Sequence, residues 1–93
     1  MYKLRKYHGE RVQSLTYEKD RKAASVGIIE VGKYEFGALA NEYYTVTSGK
    51  IFLWNENNEK WDPFVPFETF LVPLNTNFKL KTEEISTYLC VYK

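Results

Sequence analysis

Turn-forming residues interrupt this chain so often that no segment is left long enough for an ordinary helix. Val12, Leu15 and Tyr17 mark a first, loosely alternating run, closed by the charged connection Glu18-Lys19-Asp20-Arg21-Lys22. Ala23 to Val31 is small and β-branched; Gly32-Lys33 then leads into Tyr34-Glu35-Phe36, which alternates cleanly and stops at Gly37. Glu42 to Thr47 ends at Ser48-Gly49, Ile51 to Trp54 follows, and polar Asn55 to Lys60 reads as a hairpin loop. Trp61 to Val65 and Thr69 to Val72 are punctuated by Pro63, Pro66 and Pro73; Phe78-Lys79-Leu80 alternates, and Ser86 to Tyr92 is apolar on both faces. About nine short runs at regular spacing, without a helical period beyond two turns, predict an antiparallel β-sandwich or barrel. Proline cannot donate to a central ladder, so three prolines near strand ends agree with that reading.

Ninety-three residues make one domain, 1–93, with residues 1–8 read as a mobile N-terminal arm. A chain of this size buries roughly 60–65 % of its unfolded surface, enough for a core without disulfide or metal. Aromatic residues make up 17 % of the chain, a composition suited to half-buried pleated surfaces. The net charge of +1 gives no reason to expect a nucleic-acid partner held by phosphate neutralisation. Lys3, Arg5, Lys6 and Arg11, offset by Glu10, read as solvated surface. Cys90 stands alone, so no internal disulfide forms and a reducing compartment, the cytoplasm, is the simpler expectation. No apolar leader and no membrane-spanning run is visible, so no membrane partner is expected.

Few side chains offer chemistry. His8, the only histidine, reads as surface, and Cys90 in its apolar run reads as buried and inert. Glu42 shares a strand face with Tyr44 and Val46, because side chains alternate with period two. If that face is interior, Glu42 is a carboxylate in an apolar pocket, costly unless paired and a site candidate for that reason. If not, it is an exposed glutamate at a strand start; the pattern leaves both open. Tyr34 and Phe36 share one face, and Tyr88, Cys90 and Tyr92 another. Buried phenols need partners, so tyrosines serve core and polar pocket alike. Asn75 follows Pro73 as turn chemistry first and ligand contact second.

The spacing Glu42-x6-Gly49, with Pro73 after a gap, resembles the frame of a cupin whose metal ligands are missing. Phe36, Ala38 and Phe78 stand where a metal cupin would carry histidines, and one carboxylate cannot hold a transition metal or zinc. The ordered set is Ala24-Ser25-Val26-Gly27, Gly32-x-Tyr34-x-Phe36-Gly37, Glu42-x-x-Thr45-Val46-x-x-Gly49, Trp61, Phe70-x-Val72, Phe78-x-Leu80 and Thr87-Tyr88-Leu89-Cys90-x-Tyr92. It resembles the small cupin family of pyrimidine/purine nucleoside phosphorylases from about Gly9 to Tyr92. The resemblance implies an all-β, cupin-like antiparallel β-barrel of jelly-roll type and a homodimer. It also implies a metal-free phosphorolysis of many nucleosides to free base and ribose 1-phosphate, with inorganic phosphate as co-substrate and no other cofactor. Phe67 and Leu74 stand where relatives commonly carry glycine, and Lys22 and Ala23 where some place an arginine.

Phosphorolysis needs a grip on ribose, a slot for the base and an anion site. Glu42 is expected to stabilise the positive charge that spreads over the sugar, and Tyr88 or Asn75 to hydrogen-bond the leaving base. Tyr34, Phe36, Tyr44 and Phe78 are expected to form the slot, since stacking tolerates many bases. Ser25 and amides near Gly27, assisted by Lys22, are expected to hold phosphate. Two other readings stand beside this one: a non-catalytic barrel that binds a small sugar or nucleobase, and a purely structural dimer.

Overall fold

The structure, a computed structural model, describes residues 2–93. Its ten strands in chain order are β1 (Tyr2–Tyr7), β2 (Val12–Lys19), β3 (Lys22–Ile29), β4 (Gly32–Gly37), β5 (Glu42–Ser48), β6 (Ile51–Asn55), β7 (Lys60–Phe64), β8 (Thr69–Val72), β9 (Asn77–Thr82) and β10 (Ser86–Tyr92). The nine runs read from the sequence coincide with β2 to β10. The tenth strand is the segment expected as an N-terminal arm: Tyr2 to Tyr7 pair along their whole length with Tyr17 to Val12.

Pairing is antiparallel throughout and gives two sheets rather than one continuous ring. A six-stranded sheet runs β1-β2-β3-β10-β5-β8 and a four-stranded sheet runs β4-β9-β6-β7. From β3 onward the chain crosses between sheets at almost every step, so both contribute to one interior. Alternation decides which side chains enter it. In β5 the inward set is Glu42, Tyr44 and Val46; in β10 it is Ser86, Tyr88 and Cys90; in β9 it is Phe78, Leu80 and Thr82. Val12, Ile29, Val46, Ile51, Leu80 and Cys90 are almost wholly enclosed and form the dry part of the core. Each such aliphatic side chain contributes on the order of 1.5–3 kcal/mol by leaving water.

Registered rows cross the inner face of the large sheet. One runs Arg5, Ser14, Gly27, Tyr88, Val46; the next runs Lys3, Thr16, Ser25, Cys90, Tyr44, Phe70. Gly27 is required by the first row. A Cβ there would run into the Tyr88 ring, which lies over the glycine. The outer face carries a third row, Leu4, Leu15, Val26, Leu89, and Leu4, Val26, Ile28 and Leu71 remain exposed on it.

Two turns tighten the connections. Gly49, at φ 78, turns β5 into β6. Phe67, at φ 75 and 83 % exposed, occupies the third position of a Val65–Glu68 turn closed by a Glu68 N–H to Val65 carbonyl bond of 3.0 Å. Pro66 ahead of a positive φ is the type II pattern, which favours glycine where Phe67 stands. The left-handed conformation costs an L-residue about 1–2 kcal/mol. Glycine returns about 0.5–1 kcal/mol of that as chain entropy. Phe67→Gly is therefore expected to stabilise the fold by about 0.5–1 kcal/mol, read as a higher denaturant midpoint at unchanged slope.

Candidate functional site

A cleft of about 610 Å³ opens where the inner face of the large sheet rises past the edge of the small one. Its floor and walls include Glu42 and Tyr44 of β5, Phe36 of β4, Phe78 and Leu80 of β9, and Tyr88 and Tyr92 of β10. Ser14 and Thr16 of β2, Arg5 and Tyr7 of β1, and His8 just beyond it form the far wall, with Leu39 and Ala40 on the rim.

Glu42 decides the character of this cleft. Its side chain starts β5 on the inward register and the residue is 8 % exposed, so the interior alternative left open by the pattern is the one observed. The Tyr44 hydroxyl donates to Glu42 Oε1 at 2.7 Å. Burial pushes the carboxyl above its ordinary 4.5, while the Tyr44 hydroxyl and the Leu39 backbone amide pull the other way. Desolvation also raises Tyr44 and Tyr88, so both are neutral hydrogen-bond donors in water. Cys90 is fully enclosed, as its apolar run suggests, and its thiol is pushed up to about 12 chiefly by burial.

The aromatic wall is continuous. Phe36 stacks on Phe78 with ring centres 5.5 Å apart, Tyr44 meets Phe78 at 5.9 Å and Tyr88 at 5.1 Å, and His8 sits edge-on to Phe36 at 5.1 Å. Offset and edge-to-face contacts of this kind favour a rigid slot.

Of the residues singled out by sequence, the fold brings Glu42, Tyr44, Phe36, Phe78 and Tyr88 together here. It does not bring the others. Tyr34 is buried behind His8 and Phe36, and its hydroxyl is already spent on the Glu30 and Val31 carbonyls at 2.7 and 3.2 Å. Asn75 is an exposed turn residue at φ 65 whose amide bonds the Ala38 carbonyl at 2.9 Å, so it braces the rim through its backbone. Ser25 is fully enclosed, bonded to Thr16 Oγ1 at 2.8 Å and to the Tyr92 hydroxyl at 2.6 Å. Lys22 is exposed at the β2–β3 turn, where it pairs with Lys19. Neither lines the cleft, so the anion site read from sequence is not assembled by these two. Tyr92, placed by sequence on the face of Tyr88 without a role of its own, lines the cleft, and Arg5, Tyr7, His8, Ser14 and Thr16 were missed. The available signal was parity: Arg5 and Tyr7 are two apart, so one strand face carries both.

Among the described residues no three His, Cys, Asp or Glu side chains are grouped to hold a metal ion, and no helix is long and apolar enough to cross a membrane.

Two antiparallel sheets enclosing an aromatic cleft with one buried, hydrogen-bonded carboxylate among the described residues define a small all-β protein. The profile of the pyrimidine/purine nucleoside phosphorylase family matches residues 2–92. A pyrimidine/purine nucleoside phosphorylase from Yersinia enterocolitica is 38 % identical over 93 residues, covering 99 % of this chain and 98 % of its own. Another, from Alcanivorax borkumensis, is 34 % identical over 92 residues with the same coverage. The crystal structure of a Vibrio parahaemolyticus protein of unknown function superposes with a TM-score of 0.93 at 30 % identity, covering all of this chain and 99 % of that one. The chain belongs to the pyrimidine/purine nucleoside phosphorylase family.

The buried carboxyl has a consequence for stability. Its folded-state pKa lies above the ordinary 4.5, so the neutral form is favoured by folding. That contribution is complete below the unfolded value and is lost as pH rises through the folded one. Glu42→Gln removes the ionisation and keeps an oxygen for the Tyr44 hydroxyl. Its melting temperature is expected to exceed that of the parent near neutral pH, with the gap closing below about pH 4, where Glu42 is protonated in both states.

Proposed function

We propose that this chain is a metal-independent nucleoside phosphorylase that converts nucleoside and phosphate to free base and ribose 1-phosphate. The observation that carries the reading is Glu42, a buried carboxylate at one end of an aromatic cleft, held by Tyr44. A phosphate oxygen attacks C1′ of the ribose as the C1′–N bond breaks. The base leaves with the bonding pair, and the proton carried in by hydrogen phosphate ends on the base. Positive charge develops on the sugar in between, as in glycoside cleavage. A fixed carboxylate in a water-poor site stabilises that charge without reorganising, and it also accepts ribose hydroxyl hydrogen bonds. Phe36, Phe78 and Tyr44 offer the base flat faces, which suits several bases rather than one. Tyr88, a neutral phenol, is a hydrogen-bond donor for the base or the anion.

The strand order supports the barrel reading attached to this function. β3-β10-β5-β8 over β4-β9-β6-β7, with the chain alternating between sheets, is the order of a double-sheet jelly roll with the β1–β2 hairpin added at one edge. The exposed apolar side chains Leu4, Val26, Ile28 and Leu71 on the outer face of the large sheet support a homodimer, in which such side chains would be covered. Val26→Glu places a charge among them. A dimer mass for the parent and a monomer mass for the variant are expected by light scattering. A monomeric parent would reject the dimer.

Incubation with uridine or adenosine, with and without phosphate, tests the activity. Phosphate-dependent release of free base is expected, and Glu42→Gln is expected to lower turnover about 100-fold, the scale of one lost preorganised electrostatic contact. Thermal stabilisation by nucleoside without release would favour the alternative, a non-catalytic binding module.

A further inference from the structure

We propose that the oxyanion subsite of the cleft is the registered row Arg5, Ser14, Tyr88, built across four strands of the large sheet and dependent on β1. The proposal rests on the phosphorylase reading only for the identity of the anion, inorganic phosphate; the site itself follows from the geometry.

Backbone pairing places Arg5 opposite Ser14, Ser14 opposite Gly27, and Gly27 opposite Tyr88, all on the inner face. Strands lie about 4.8 Å apart, so a row of three side chains would normally be separated by the one at its centre. Gly27 has none. The Tyr88 ring falls into that gap, with its hydroxyl end over the glycine. This carries the hydroxyl toward Ser14, which pairs with Gly27 from the other side. Two hydroxyl side chains and an arginine thereby stand in one row of the cleft lining. Ser14 and Tyr88 are buried while Arg5 is exposed, so the row grades from enclosed hydroxyls to an exposed cation.

Charge selects the ligand. Arg5 is the one lysine or arginine on the cleft lining, which also carries Glu35 and Glu42. A phosphate dianion approaching two carboxylates needs a cation to enter, and a guanidinium offers paired N–H donors matched to phosphate oxygens. Arg5 has this capacity to spare: the ion pairs among the described residues are Lys6–Glu10 and Lys60–Asp62. The Glu42–Tyr44 pair belongs to β5, two strands beyond β3 in the sheet. Anion and ribose grips therefore occupy different strands of one cleft, as attack of phosphate on bound ribose demands.

Titration calorimetry with inorganic phosphate alone tests the row without requiring turnover. The parent protein is expected to bind phosphate, Arg5→Ala to bind it about 10- to 100-fold more weakly, and Arg5→Lys to recover part of the loss, since charge returns without the fork. Tyr88→Phe, which keeps the ring over Gly27, is expected to weaken phosphate by several-fold. Thermal stabilisation by nucleoside should persist in Arg5→Ala, because β1 is an edge strand and the ribose grip lies elsewhere. In steady-state assays the Arg5→Ala loss should appear in the KM for phosphate rather than for nucleoside. No phosphate uptake by the parent, or equal affinity in parent and Arg5→Ala, overturns the proposal. An affinity that depends on Arg5 but not on Tyr88 reduces the row to a surface cation and overturns it as well. Arg5-dependent binding without base release counts for the subsite and against the phosphorylase.

Discussion

The phenol ring of Tyr88 lies across Gly27, and both the core and the cleft depend on that contact. On the core side it carries apolar area from β10 toward β2, closing a gap that the missing side chain of Gly27 would leave. On the cleft side it delivers a hydroxyl to a place that its own strand does not reach. Any side chain at position 27 meets the ring, so the two residues form one constraint. Tyr44 follows from it, because its ring meets Tyr88 at 5.1 Å on one side and stacks on Phe70 at 5.1 Å on the other. With its ring held between neighbours, the Tyr44 hydroxyl has one short-range partner to satisfy, and that partner is Glu42.

A chain this small has a single interior, so its site is cut from the core rather than set on loops above it. The rows of the large sheet show how the division is made. Val12 and Ile29 sit at one end of the sheet with under 2 % exposure. Glu42 and Tyr92 sit at the other, on the cleft lining. Burying a carboxylate there is unfavourable, and the Tyr44 hydroxyl and Leu39 amide offset only part of the cost, since the net shift still favours the neutral acid. A residue retained against the stability of the fold is easier to explain by what it binds than by what it packs against.

Much of the fold was legible in sequence because alternation and turn chemistry are local. Nine strands, the shared face of Glu42, Tyr44 and Val46, and the buried state of Cys90 all follow from period two and punctuation; that this face is the inward one came only with the structure. Five of the candidate residues meet in one cleft for the same reason, since parity fixes a face. What failed lay outside what alternation and turn chemistry encode, or was a parity signal left unread. Tyr34 lies on the inward register, yet its hydroxyl is captured by backbone carbonyls of the preceding turn, a contact that alternation does not encode. Ser25 is inward too, but satisfied by Thr16 and Tyr92, which meet it only through strand pairing. Lys22 sits three residues from Ser25 along a strand, so the two side chains take opposite faces and parity already argued against joining them. The N-terminal strand was hidden by its composition: charged and tyrosine-rich, it looks like solvated surface until its pairing with β2 is known.

That strand explains why the cationic wall is set at an edge. A guanidinium placed centrally in the large sheet would be buried beside Tyr88 and Cys90 and would lack a partner whenever the cleft was empty, a costly arrangement. On β1 the same residue is exposed and keeps its head in water. An edge strand that carries Lys3, Arg5 and Lys6 also discourages pairing with the edge of another sheet, since exposed edges invite association unless charged or covered. One alternation thus serves two needs: Lys3, Arg5 and Tyr7 face the interior rows, while Leu4 joins the apolar outer face of the sheet. Removing β1 would take from the cleft the one arginine that lines it among the described residues, while Glu42 and Tyr44 belong to β5.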